Sequence, residues 1–92
     1  MDKLAKALGE RIREQRKTCR ISQDALALAC NIDRSYVGRI ERGEVNITIE
    51  KLYRIASVLA CDPCDLLPQV GFYPVNTETF ESAHAEVQVM SL

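Results

Sequence analysis

A chain of 92 residues and 10.3 kDa, 47% hydrophobic and 27% charged, has room for one soluble globular domain and little more. Its longest purely apolar run, residues 25–30, is far too short to cross a bilayer as a helix; Lys6 and Glu10 break the first stretch before an apolar leader could form, so no membrane and a cytoplasmic location are expected. The net charge of −1 speaks against a nucleic-acid partner only as an average: residues 1–54 hold all twelve Lys and Arg against eight acids, a formal +4, whereas residues 55–92 hold five acids and no base, a formal −5. Such asymmetry points the basic half towards a polyanion, although an unevenly composed solvated surface accounts for the charges equally well.

In residues 3–18, Leu4, Leu8 and Ile12 recur at i, i+4 and i+8 among Lys, Arg, Glu and Gln. This predicts an amphipathic helix with one buried stripe and a polar face of Arg11, Arg13 and Arg16, with Lys17 at its end. Ser22 is a good N-cap for a second helix over residues 23–30, with Leu26, Ala29 and Cys30 as its buried face. Asn31, which follows, tolerates a left-handed turn. Asp33 caps a third helix. Ile32 and Val37 have the spacing of a hydrophobic staple, Val37 and Ile40 point inward, and Arg34, Ser35, Gly38 and Arg39 fall on the other faces; Gly43 is the stop. Ile47, Thr48 and Leu52 repeat the staple and cap for a fourth helix, whose stripe is Leu52, Ile55, Ala56 and Leu59, with Glu50 suited to its first turn. In residues 61–68, Asp62 caps a fifth helix, Pro63 takes its first position and Pro68 ends it. No strand pattern interrupts residues 1–68, so the expected fold class is all-α.

The second and third helices are about eight residues each and are joined by residues 31–33 alone. Those are the dimensions of a helix-turn-helix, whose second helix can lie in the major groove of DNA. Arginine is the commonest specific reader there, because its planar fork matches the two acceptors of guanine. The third helix offers Arg34, Ser35 and Arg39 on an accessible face.

At these residues the sequence resembles the Cro/cI-type (XRE) helix-turn-helix family. The shared features are the Ser22-Gln23 start, a Leu-Ala pair, a small turn residue and the Ile40-Glu41-Arg42-Gly43 exit. Downstream, Leu52, Ile55, Ala56 and Leu59 and the pair Leu66-Leu67 also match, so the resemblance covers residues 3–68; Asn31 stands where the family often has Gly. The resemblance implies a five-helix, lambda-repressor-like DNA-binding domain over residues 1–68, with residues 69–92 as a C-terminal extension. It implies a non-enzymatic transcriptional regulator that binds double-stranded DNA as a homodimer on a palindromic operator, similar to phage repressors and restriction–modification controller proteins. It carries Arg34, Ser35 and Arg39 to base-reading positions, Gln23 and Arg42 to phosphate-facing positions, and Arg16 and Glu41 to a partly buried ion pair that ties helix one to the end of helix three. Tyr36 fits a phosphate contact or helix packing, and Lys17 and Arg20, after helix one, are generic phosphate candidates. The competing reading is an antitoxin or adaptor whose tail binds a partner protein.

Cys61-Asp-Pro-Cys64 has the C-x-x-C spacing of zinc and redox sites. Two ligands are too few for a closed zinc site, Cys19, Cys30 and His84 would have to supply the rest, and no βαβ unit accompanies the motif. Cys30 and Cys61 therefore read as small core hydrophobes, with no metal and no cofactor expected. After Pro68, Phe72, Tyr73 and Val75 are apolar enough to want burial. Thr77 could cap a helix with Phe80, Ala83 and Val87 on one face, while residues 85–90 alternate like a strand, and both readings stay open.

Overall fold

The computed structural model describes residues 3–69, which form five helices and, among the described residues, no strand: α1 (Lys3–Thr18), α2 (Gln23–Cys30), α3 (Arg34–Glu41), α4 (Ile49–Val58) and α5 (Pro63–Leu66). The expectations for the acidic extension beyond Gln69 lie outside the described residues. Four helix starts coincide with the capping residues read from the sequence. Side-chain oxygens of Ser22, Asp33, Thr48 and Asp62 accept from the backbone N–H of Ala25, Ser35, Lys51 and Cys64. At α5 the Asp65 carboxylate also reaches back to the Asp62 N–H, completing a capping box around Pro63.

The first four helices end alike. One residue adopts left-handed geometry (Arg20, Asn31, Gly43 and Ala60, φ 59, 55, 73 and 54°). The next N–H then closes onto the carbonyl five residues back: Ile21 to Arg16, Ile32 to Ala27, Glu44 to Arg39 and Cys61 to Ala56, at 2.9–3.2 Å. Only Gly43 and Asn31 advertise this in the sequence. Ala60 pays the steric cost of a β-carbon in that region, so Ala60→Gly is expected to stabilise the domain by about 0.5–1 kcal/mol after the added freedom of the unfolded chain is counted. Calorimetry should show Tm rising by several degrees; an unchanged or lower Tm would mean the turn gains nothing from losing its methyl.

α1 packs on α3 and α5, α2 on α3 and α4, and α4 on α5. Ile12, Leu26, Val37, Ile40, Ile55, Leu59 and Leu66 are at most 2% exposed at the centre, with Cys30, Ala27, Ala56 and Leu52 around them. The α4 stripe is buried as read. Three faces differ from the sequence reading. In α1 the buried set is Ala5, Ala7, Gly9 and Ile12, while Leu8 is half-buried and Leu4 exposed. The reason is a close crossing: a β-carbon on Gly9 would lie 2.7 Å from the Glu41 carbonyl oxygen, so only small residues fit, and Leu4 and Leu8 instead edge an apolar hollow with Val45, Ile47 and Leu67. In α2, Leu26, Ala27 and Cys30 are buried and Ala29 is exposed. Residues 25–30 are apolar on every side, so periodicity does not choose the phase; packing against both α3 and α4 does. In α3, Gly38 is buried rather than outward, beneath the side chains of Arg42 and Gln23.

Candidate nucleic-acid interface

α3 is held from behind by a polar cluster. The Arg16 guanidinium from α1 donates through Nε to Glu41 Oε2 at 2.7 Å and through Nη2 to Glu41 Oε1 at 3.1 Å. Its Nη1 donates to the Ile21 carbonyl at 2.9 Å. Gln23, the first residue of α2, donates its amide to Glu41 Oε1 at 3.0 Å. The Arg16 and Glu41 side chains are 11% and 3% exposed. Three helices therefore meet on one carboxylate, and no buried side-chain N or O among the described residues lacks a partner. Beside the cluster is a hollow lined by Arg13, Gln23, Glu41 and Arg42, so two exposed guanidinium groups flank the start of α2.

The outward side of α3 carries Arg34, Ser35 and Arg39, all exposed. Arg34 pairs with Asp24 of α2 at 2.5 Å, both side chains being well exposed. Ser35 donates its N–H and its hydroxyl to Asp33 Oδ1, each at 2.9 Å. Those two bonds hold the Asp33 carboxyl below its ordinary value. As pH falls, the cap therefore persists to a lower pH than an unbonded carboxylate would allow. Arg42, the C-cap, donates to Glu44 at 2.5 Å, which lowers the Glu44 carboxyl and raises the Arg42 guanidinium. Lys17 and Arg20 are exposed, but Lys17 is in the last turn of α1 and only Arg20 lies beyond the helix. Tyr36 is half-buried, with the Arg39 guanidinium 5.5 Å and the Lys51 ammonium 4.4 Å from its ring centroid. Nothing local in the sequence places Lys51, from α4, beside α3. Arg13 is legible in the sequence only as part of the polar face of α1.

Three of the thiols, Cys30, Cys61 and Cys64, are placed to stay protonated. Burial pushes Cys30 up against a smaller opposing effect of Arg54; burial and then Asp65 push Cys61 up; a hydrogen bond with Asp62 pushes Cys64 up. A thiol above its ordinary value is a poor nucleophile at neutral pH. Among the described residues, no group of three or more His, Cys, Asp or Glu is arranged to hold a metal ion.

The model of the helix-turn-helix family matches residues 12–66. The control protein C.BamHI of Bacillus amyloliquefaciens is 35% identical over 60 residues, which are 64% of this chain and 74% of that protein. The restriction-modification controller protein C.AhdI from Aeromonas hydrophila is similar in structure at a TM-score of 0.67, with 36% identity, over 68% of this chain and 96% of that one. The P22 c2 repressor, solved in complex with a synthetic operator, gives a TM-score of 0.62 and 35% identity over 65% of this chain and 91% of its own.

Proposed function

The chain belongs to the helix-turn-helix family of transcriptional regulators of the Cro/cI (XRE) type, and we propose that it binds double-stranded DNA sequence-specifically, as a homodimer on a two-fold-related operator. One observation carries the reading: α3 presents Arg34, Ser35 and Arg39 outward while its other side is fixed to α1 and α2 through Glu41. A rigid helix with two exposed forks on its outward side is what base readout in a major groove needs. In this reading Arg34, Ser35 and Arg39 meet base edges. Gln23, Arg42, Lys17 and Arg20 meet phosphates around them, and Tyr36 lies at the same surface. Arg16 and Glu41 hold the frame. The hollow between Arg13 and Arg42 at the start of α2 suits a backbone phosphate, since the helix N-terminus and Arg13 favour an anion there, the exposed Arg42–Glu44 pair can open, and the Glu41 carboxylate in the lining is already held by Arg16.

A single helix of this length covers a small patch, about what one minimal DNA-binding module buries, so a second copy supplies the missing affinity and sequence length. Ile49 and Tyr53, one turn apart on α4, are exposed apolar side chains of the sort a subunit contact covers. Selection of bound sites from random duplex DNA tests the whole reading. The expected product is a two-fold-related consensus with half-sites about 34–36 Å, one helical turn, apart. A pool without consensus would exclude base reading, and a consensus with a single half-site would exclude the homodimer.

The Arg34–Asp24 pair bears on the same experiment. An exposed pair is worth about 0–1 kcal/mol, so Arg34 can exchange Asp24 for DNA at little cost. Asp24→Asn removes both the competitor and a negative charge, and affinity for the selected site is expected to rise roughly two- to fivefold in an anisotropy titration. A weaker complex would instead mean that Asp24 orients Arg34.

A further inference from the structure

Two cations share the face of one aromatic side chain at the edge of α3. Arg39 follows Tyr36 by three residues and so lies beside it on the helix surface, and Lys51 reaches the same ring from the first turn of α4. The distances, 5.5 Å for the Arg39 guanidinium carbon and 4.4 Å for the Lys51 nitrogen, are within the range in which a ring quadrupole holds a cation. Arg34, Arg42 and Arg54 each have a carboxylate partner; among the described residues Arg39 and Lys51 form no such ion pair. Asp33 and Glu44 act on Arg39 only at longer range, so the ring is the contact that the two cations share, and the ring itself packs against the core.

We propose that the Tyr36 ring is a positioning platform that aims the Arg39 guanidinium at a base edge and the Lys51 ammonium at a neighbouring phosphate, making one reading unit from α3 and α4. The proposal rests on the DNA-binding reading above, and it assigns Tyr36 a role through its ring rather than through a hydroxyl contact to phosphate. Arginine loses much rotamer freedom when it docks; a side chain already stacked loses less, and the saving appears as discrimination between sites. Lys51 neutralises a phosphate without reading sequence, so it contributes to all duplexes alike.

The test uses the full chain, a duplex recovered from a random pool, an unselected duplex of equal length, and a series of salt concentrations. Tyr36→Phe keeps the ring and is expected to retain both selectivity and salt slope. Tyr36→Leu is expected to lower the ratio of selected to unselected affinity roughly three- to thirtyfold. Lys51→Met should leave that ratio intact and reduce the salt slope by about 0.9 per subunit. Loss of selectivity in Tyr36→Phe equal to that in Tyr36→Leu would assign the role to the hydroxyl and overturn the proposal; so would a Tyr36→Leu protein that discriminates as well as its parent. Should Tyr36→Leu fail to fold, the parent protein still decides: NMR must show ring-current upfield shifts of the Arg39 δ and Lys51 ε protons, and their absence overturns the platform. A parent that binds both duplexes equally removes the DNA-reading function itself, an outcome distinct from the failure of Tyr36 alone.

Discussion

Glu41→Ala is expected to destabilise the domain by about 3–5 kcal/mol, the range for removing one partner of a buried ion pair. For a domain of this size that is a large share of a total stability of about 5–15 kcal/mol. The size of the effect follows from what the carboxylate does. It accepts from Arg16 twice and from Gln23 once, and it is almost wholly buried. Without it Arg16 keeps only the Ile21 carbonyl as a partner while remaining largely out of water. The pair itself is a weaker contributor than its breaking suggests, because bringing both charges out of water offsets most of their attraction. The double variant Arg16→Met with Glu41→Leu, which removes both charges and keeps apolar volume, should therefore lie much closer to the parent than Glu41→Ala does. Urea denaturation of the three proteins measures this. A loss below about 1 kcal/mol in Glu41→Ala would place the pair in the class of solvated surface bridges.

The helix starts were legible because a cap is local chemistry: Ser22, Asp33, Thr48 and Asp62 each satisfy an N–H two or three residues ahead. The stops were legible only where the residue type declares itself, as Gly43 and Asn31 do. Arg20 and Ala60 make the same left-handed turn with side chains that disfavour it, because the packing of the next helix fixes the direction of exit. Gly9 shows the same limit from the other side. In sequence it merely weakens a helix; in the fold it is the point where α1 touches the backbone at the end of α3.

The candidate interface divides along the same line. That Arg34, Ser35 and Arg39 are outward follows from the phase that Val37 and Ile40 impose on α3, and both of those are buried. What each outward side chain touches does not follow. Asp24 beside Arg34, Glu44 beside Arg42 and Lys51 over Tyr36 are set by the turns between helices, and a pattern within one helix holds no record of them. The C-x-x-C spacing, set aside in the sequence for want of further ligands and a βαβ unit, spans a helix cap: burial and then Asp65 raise the Cys61 thiol, and the hydrogen bond with Asp62 raises Cys64.

Arg39→Ala is expected to produce the largest change in DNA recognition. A bidentate arginine–guanine contact is worth about 1–3 kcal/mol of discrimination. In a homodimer on a symmetric site the loss occurs twice, so the dissociation constant for the selected duplex should rise by a factor between about thirty and about twenty thousand. Binding to an unselected duplex loses at most one phosphate-neutralising charge per subunit, so the ratio of the two affinities should collapse. A cycle that crosses the interface makes the assignment specific. Changing the contacted base pair in both half-sites should weaken the parent strongly and the Arg39→Ala variant hardly at all, because the partner of that base is already gone. If the variant and the changed site instead weaken binding independently, or if selected and unselected duplexes suffer alike, Arg39 is a counter-charge to the backbone and base reading falls to Arg34.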